Sequence, residues 1–154
     1  MCLAVQDLHS FHVVHCDLKP HNMLYTGTKV KLIDFNASQD MKQDIEVEGP
    51  AEMGTPGYMA KEMYDGWISY KADIYSLGVS MLEIWMGDIW PSKKDDYTNN
   101  RVYVLDYLSL LERDHPELHE LVKKCISPDS KKRPPIRDVL SSLDRILESQ
   151  GTVE

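Results

Sequence analysis

The chain has 154 residues, 42% of them hydrophobic, which suits one domain with its own core. A net charge of −8 argues against a nucleic acid or an anionic membrane recognised through bulk charge. Cys2, Cys16 and Cys125 are too few and too widely spaced for a disulfide framework or a zinc pattern, and no apolar run has the length of a membrane span. With no signal-peptide pattern at the start, the expectation is a soluble chain of a reducing compartment, cytoplasmic or nuclear.

Residues 2–9 read as the end of a helix on Leu3, Val5 and Leu8, with no starting cap, so the chain is expected to enter its fold midway. Val13 and Val14 lead into a polar turn, His15 to Asn22. Met23-Leu24-Tyr25 and Val30-Lys31-Leu32-Ile33 flank Thr26-Gly27-Thr28-Lys29 as a small hairpin. Residues 36–57 lack periodicity and read as one long loop, the kind that is usually functional or disordered.

From Ser69, a capping residue, a helix is expected to run to about Met86. Its apolar positions (Ile74, Leu77, Val79, Met81, Leu82, Ile84 and Trp85) cover most of its circumference, so it should be buried. Residues 88–100 read as a polar loop, followed by a helix from Val102 to Leu111. Asp114 is placed as the cap of a helix with Pro116 in its first turn, ending near Ile126. Ser127-Pro128-Asp129 is a turn, and Ile136 to Glu148 an amphipathic helix. The fold class is mainly α with a small β-hairpin element, in one domain over residues 1–149 with a short tail at 150–154.

Chemistry concentrates in His15-Cys16-Asp17-Leu18-Lys19-Pro20-His21-Asn22 and, twelve residues on, Asp34-Phe35-Asn36. Carboxylates and an amide suit Mg²⁺, which takes oxygen ligands and shares them with substrate phosphates. One carboxylate is left to take a proton from a nucleophile. The two stretches resemble the catalytic loop and metal-binding triplet of protein kinases, usually His-Arg-Asp…Asn and Asp-Phe-Gly. Small-molecule and atypical kinases share that pair of loops. Gly54-Thr55-Pro56-Gly57-Tyr58-Met59-Ala60-Lys61-Glu62, Asp73-Ile74-Tyr75-Ser76-Leu77-Gly78 and Lys132-Arg133-Pro134 resemble further protein-kinase stretches in family order, and favour that family.

The resemblance implies a protein-kinase-like C-terminal (large) lobe, with catalytic loop 15–22, activation segment 34–62 and central helix near 70–86. It implies ATP and Mg²⁺ as cofactors and a protein substrate, with no nucleic acid. Asp17 would orient the substrate hydroxyl, Lys19 would neutralise charge on the phosphoryl group, and Asn22 and Asp34 would hold Mg²⁺. Leu24 would lie under the adenine ring. Thr55, beside Asp17 and Lys19, and Lys19 itself look like the serine/threonine class. Glu62 and Arg133 would form a buried ion pair, and Asp73 would bond the backbone around His15 and Cys16. The Gly-Thr-Pro-Gly-Tyr-Met stretch leans toward Wee-type and initiation-factor kinases.

Three positions depart from the family pattern. Cys16 stands where an Arg usually grips an activation-loop phosphate, Asn36 replaces a Gly, and Lys61 replaces a Pro. Asn36 is expected to tolerate the left-handed backbone that Gly allows. Between Ser38 and Thr55 there is no Ser, Thr or Tyr, while Asp40, Asp44, Glu46, Glu48 and Glu52 make the segment acidic. Phosphorylation of this loop is therefore not expected to switch the protein. The family's N-terminal lobe is expected to be absent, leaving the isolated chain nearly inactive. The alternatives are a pseudokinase-like binding module and an incomplete gene model. The histidines at 9, 12 and 15, and at 115 and 119, are weak metal-site candidates.

Overall fold

The computed structural model describes residues 1–42, 46–50, 53–90 and 97–151. Helix α1 spans Cys2–Ser10 and leads into β1, Val13–Val14. A 3₁₀ turn at Pro20–Asn22 precedes β2, Met23–Tyr25, which pairs antiparallel with β3, Val30–Leu32, as a hairpin with Met23 opposite Leu32.

The stretch read as one long loop is pinned by two short pairings. In the first, β4 (Gln39–Asp40) lies antiparallel to β1, with Val14 opposite Gln39. In the second, β5 (Val47–Glu48) pairs with β6 (Trp67–Ile68), which follows the short helix α2 (Lys61–Tyr64). Two-residue strands whose partners are distant in sequence leave no alternation for a local reading to detect.

Helix α3, Tyr70–Met86, is the pillar of the core, with every residue from Ala72 to Leu82 buried. Its buried hydroxyls are satisfied locally: Ser80 donates to the Ser76 carbonyl (2.7 Å), and Ser76 to the carbonyls of Tyr58 (2.7 Å) and Ala72 (3.2 Å). Burial stops at its last turns, where Ile84 and Trp85 are exposed, Trp85 with one edge contact to the His115 ring at 4.5 Å. Ser69 holds the N-cap position, but its buried hydroxyl makes no bond, so the cap is positional only.

Helices α4 (Tyr97–Asp114), α5 (Pro116–Cys125) and α6 (Ile136–Gly151) complete the helical body. The start of α4 at Tyr97 takes in Asn99 and Asn100, which the sequence reading assigned to a loop. Asn100 is buried, and Arg101 bonds the Ile126 carbonyl at 2.9 Å, so packing against α5 overrides weak helix propensity there. Asp114 ends α4 instead of capping α5. Its carboxylate is taken by Arg113 (2.8 and 3.0 Å), and His115 stands at the cap of α5.

Helix α3 packs closely on the end of α5 at Gly78, where an added Cβ would fall 2.7 Å from the Cys125 Cβ and 2.9 Å from Ile126 Cγ2. Overpacking there costs roughly 1–3 kcal/mol, while Ala in place of Gly returns about 1 kcal/mol of helix propensity. Gly78→Ala is therefore expected to destabilise the fold by up to about 2 kcal/mol, read as a lower midpoint in urea unfolding.

Candidate active site

The polar turn His15–Asn22 hangs from α3. Asp73, fully buried in the first turn of that helix, accepts the backbone N–H groups of His15 (2.9 Å) and Cys16 (3.0 Å). Its Oδ2 also lies 2.9 Å from His9 Nε2. Cys16 has a left-handed backbone (φ 66°), a strain of roughly 1–2 kcal/mol for an L-residue. Two charge-assisted bonds, each about 1.5–3 kcal/mol, outweigh it. Gly54 (φ 122°) packs on the same turn, where any Cβ would meet the Cys16 carbonyl oxygen at 2.5 Å. No other residue fits that contact.

His15 links this turn to the acid downstream. Its Nδ1 accepts the Asp17 N–H (3.3 Å) and its Nε2 donates to the Ile33 carbonyl (3.1 Å), while its ring lies 5.0 Å from that of Phe35. The Ile33 N–H in turn donates to the Asn22 carbonyl at 3.0 Å. Ile33 thus ties Asn22 to the residue that follows it, Asp34. Asp34 is exposed and carries the left-handed conformation (φ 61°); Asn36 does not, so the backbone tolerance expected of Asn36 is not what the turn uses. The Asn36 N–H reaches back to Asp34 Oδ1 at 3.5 Å.

Asp17, Lys19, Asn22 and Thr55 form one hydrogen-bonded set. Asp17 Oδ2 accepts from Lys19 Nζ (3.0 Å) and Asn22 Nδ2 (3.0 Å), and Oδ1 accepts from the Thr55 hydroxyl (2.6 Å). Lys19 Nζ also lies 2.5 Å from Thr55 Oγ1, and Asn22 Nδ2 donates to the Asp17 carbonyl at 2.8 Å. A carboxylate has about four acceptor sites. Both on Oδ2 are taken, and one on Oδ1 stays open. Leu24, on β2, is 53% exposed and stands apart from this set.

Arg133 and Glu62 hold the far end of the segment. The guanidinium is buried and bonds both carboxylate oxygens of Glu62, the Lys71 carbonyl (2.9 Å) and the Ser127 carbonyl (2.8 Å), over the Tyr75 ring at 5.1 Å. Among the described residues, no group of three or more His, Cys, Asp or Glu could hold a metal. His9 and His15 are instead engaged by Asp73 and Ile33.

A protein kinase domain model matches residues 1–143. The chain belongs to the protein kinase domain family. It is 31% identical over 147 residues to a mimivirus protein (Acanthamoeba polyphaga mimivirus) named as a serine/threonine-protein kinase, covering 92% of this chain and 52% of that protein. A Dictyostelium discoideum protein named as a serine/threonine-protein kinase is 33% identical over 152 residues, covering 93% of this chain and 34% of its own length. The membrane-associated tyrosine- and threonine-specific cdc2-inhibitory kinase wee-1.3 of Caenorhabditis briggsae is 32% identical over 139 residues, covering 85% of this chain and 20% of that kinase. This kinase chain thus spans about half of the first relative and less of the others. No helix among its described residues is long and apolar enough to cross a membrane.

Reading the kinase sequence alone missed His9, whose partner Asp73 is 64 residues away, and the close approach of Gly54 to Cys16. The Gly-Thr-Pro-Gly stretch was the available signal for Gly54; His9 had none beyond its spacing.

Removing the Glu62 charge would leave Arg133 buried without its counter-charge. Glu62→Gln is expected to cost roughly 3–5 kcal/mol in chemical denaturation. Burial pushes the Cys125 thiol up to about 12 from an ordinary 9.0, and raises Cys2 and Cys16 as well, Cys16 being pushed further by the Asp73 and Asp17 carboxylates. The folded chain keeps these protons to higher pH than the unfolded chain does. Their contribution to stability is therefore full below about pH 9 and is lost as pH rises toward 12. The urea midpoint is expected to fall across that window, and at pH 8 a thiol reagent should label all three cysteines only after unfolding.

Proposed function

We propose that the chain carries the phosphoryl-transfer residues of a serine/threonine protein kinase. The observation that supports this best is the shared bonding of Thr55, Asp17 and Lys19, which leaves one acceptor site on Asp17 Oδ1. A serine or threonine hydroxyl of a protein substrate docks at that oxygen, and Asp17 orients it and receives its proton. Lys19, held by Asp17 and Thr55, faces the transferred phosphoryl group. Thr55 bonds both side chains from the loop that follows Gly54, so it is a positioning residue.

The donor set fits Mg²⁺. With Asn22 Nδ2 committed to Asp17, its Oδ1 is the atom left to offer, and the exposed Asp34 carboxylate, next in the chain to the Ile33 that bonds the Asn22 carbonyl, supplies harder oxygens. Asn22 and Asp34 would hold the ion, which when bound neutralises charge on the phosphates of ATP. Leu24, exposed on the hairpin, offers an apolar surface for the adenine.

Asp17→Asn is expected to lower phosphoryl transfer from ATP to a Ser/Thr peptide library by at least about 100-fold, with the urea midpoint little changed. Thr55→Ser should retain most transfer, and Thr55→Ala should lose it through kcat. Phosphate appearing on tyrosine alone would overturn the substrate class. Absence of ATP–Mg²⁺ binding in calorimetry would overturn the enzyme reading in favour of a partner-binding module.

A further inference from the structure

Four large apolar side chains stand together on a face that shares no residue with the site at Asp17. Leu3 on α1, Ile84 and Trp85 at the end of α3, and Leu147 on α6 are 66%, 59%, 47% and 65% exposed. With half-buried Leu140 they line one groove of about 700 Å³. Single exposed apolar residues need no explanation, but a contiguous apolar patch with a polar rim marks an interaction surface.

The charges on that groove are arranged in a self-complementary way. Arg137 and Asp144, both exposed on α6, line it seven residues apart. Two helical turns put them on one stripe, about 10.5 Å apart along the axis. They do not pair with each other. Among the described residues Asp144 forms no ion pair, and Arg137 has only a 3.5 Å contact with its neighbour Asp138. Between them on the same stripe lies Ser141, a small residue whose hydroxyl turns back to donate to the Arg137 carbonyl at 3.0 Å.

A partner carrying one sign of charge would leave one end of this stripe opposed. A second copy of the chain, turned about a two-fold axis near Ser141, leaves neither end opposed. Each Arg137 then faces the partner's Asp144, and α6 lies antiparallel to its counterpart. The small Ser141 side chain lets the two helices approach closely, while the exposed leucines and Trp85 are covered in the same contact. The charge of the whole chain points the same way. Two chains of net charge −8 repel each other, so self-association needs a surface whose own charges cancel. This groove has one.

We propose that the groove between α1, α3 and α6 is the interface of a two-fold symmetric homodimer, with Arg137 and Asp144 paired across the axis. This holds whether or not the chain transfers phosphate, since no residue of the Asp17 site takes part. Sedimentation equilibrium on the purified chain tests it, from roughly 1 to 100 μM, with wild type, L147D, R137E, D144R and the double variant R137E/D144R. Wild type is expected to be dimeric at the top of that range. L147D and each single reversal should weaken dimerisation by about tenfold or more, because the symmetry counts every change twice. The double reversal restores opposite charges in both pairs and should return to within about threefold of wild type. All three positions are exposed, so circular dichroism should show unchanged helix content. A wild-type monomer at every concentration, whether or not its groove takes up a fatty acid or a peptide, would overturn the proposal. So would a dimer that L147D leaves intact, or a double variant as weak as the single ones.

Discussion

At the first turn of α3 a buried carboxylate, Asp73, receives two backbone N–H groups from the turn above it and lies within bonding distance of His9. A buried carboxylate in that position is tolerated because three partners meet its oxygens. The same bonds force Cys16 into a left-handed conformation and so decide where Asp17, the next residue, points. The rest of the site inherits its orientation from this contact. The buried helix α3 therefore acts as the reference frame for the polar turn.

A second frame meets the first from the other side. Arg133 binds Glu62 with two parallel bonds and reaches two backbone carbonyls as well, joining α2 to the start of α3 and to the turn before α6. Such a pair is a weak source of net stability, since desolvation consumes most of the attraction. What it supplies is register. With Glu62 fixed at one end and Gly54 seated on Cys16 at the other, Thr55 reaches Asp17 and Lys19 at bonding distance. Two anchors far apart in the chain thus converge on one carboxylate.

Charge placement follows the same economy. Asp17 is surrounded by Lys19, Asn22 and Thr55, which satisfy three of its acceptor sites and leave one facing outward. Asp34 is left exposed, with only a long bond to the Asn36 N–H. The three cysteines, by contrast, are sealed in the core and chemically quiet.

Local patterns were enough for much of this chain. The span of α3, the β2–β3 hairpin and the amphipathic α6 are written in periodicity and turn residues, because burial of one face imposes a repeat that a linear reading can see. The polar turn and the Asp-Phe pair pointed to kinases through residue type and spacing, and the stretches at Gly54–Glu62, Asp73–Gly78 and Lys132–Pro134 favoured the protein kinase family among them. The tertiary structure alone decided the rest. The β1–β4 and β5–β6 pairings, the extension of α4 to Tyr97, the His9–Asp73 contact and the left-handed Asp34 all depend on partners remote in sequence. Two-residue strands carry no period, and a buried carboxylate does not reveal from its neighbours in the chain which amides it will collect. The residue types of the site are local facts; their convergence on Asp17 is set by packing against α3.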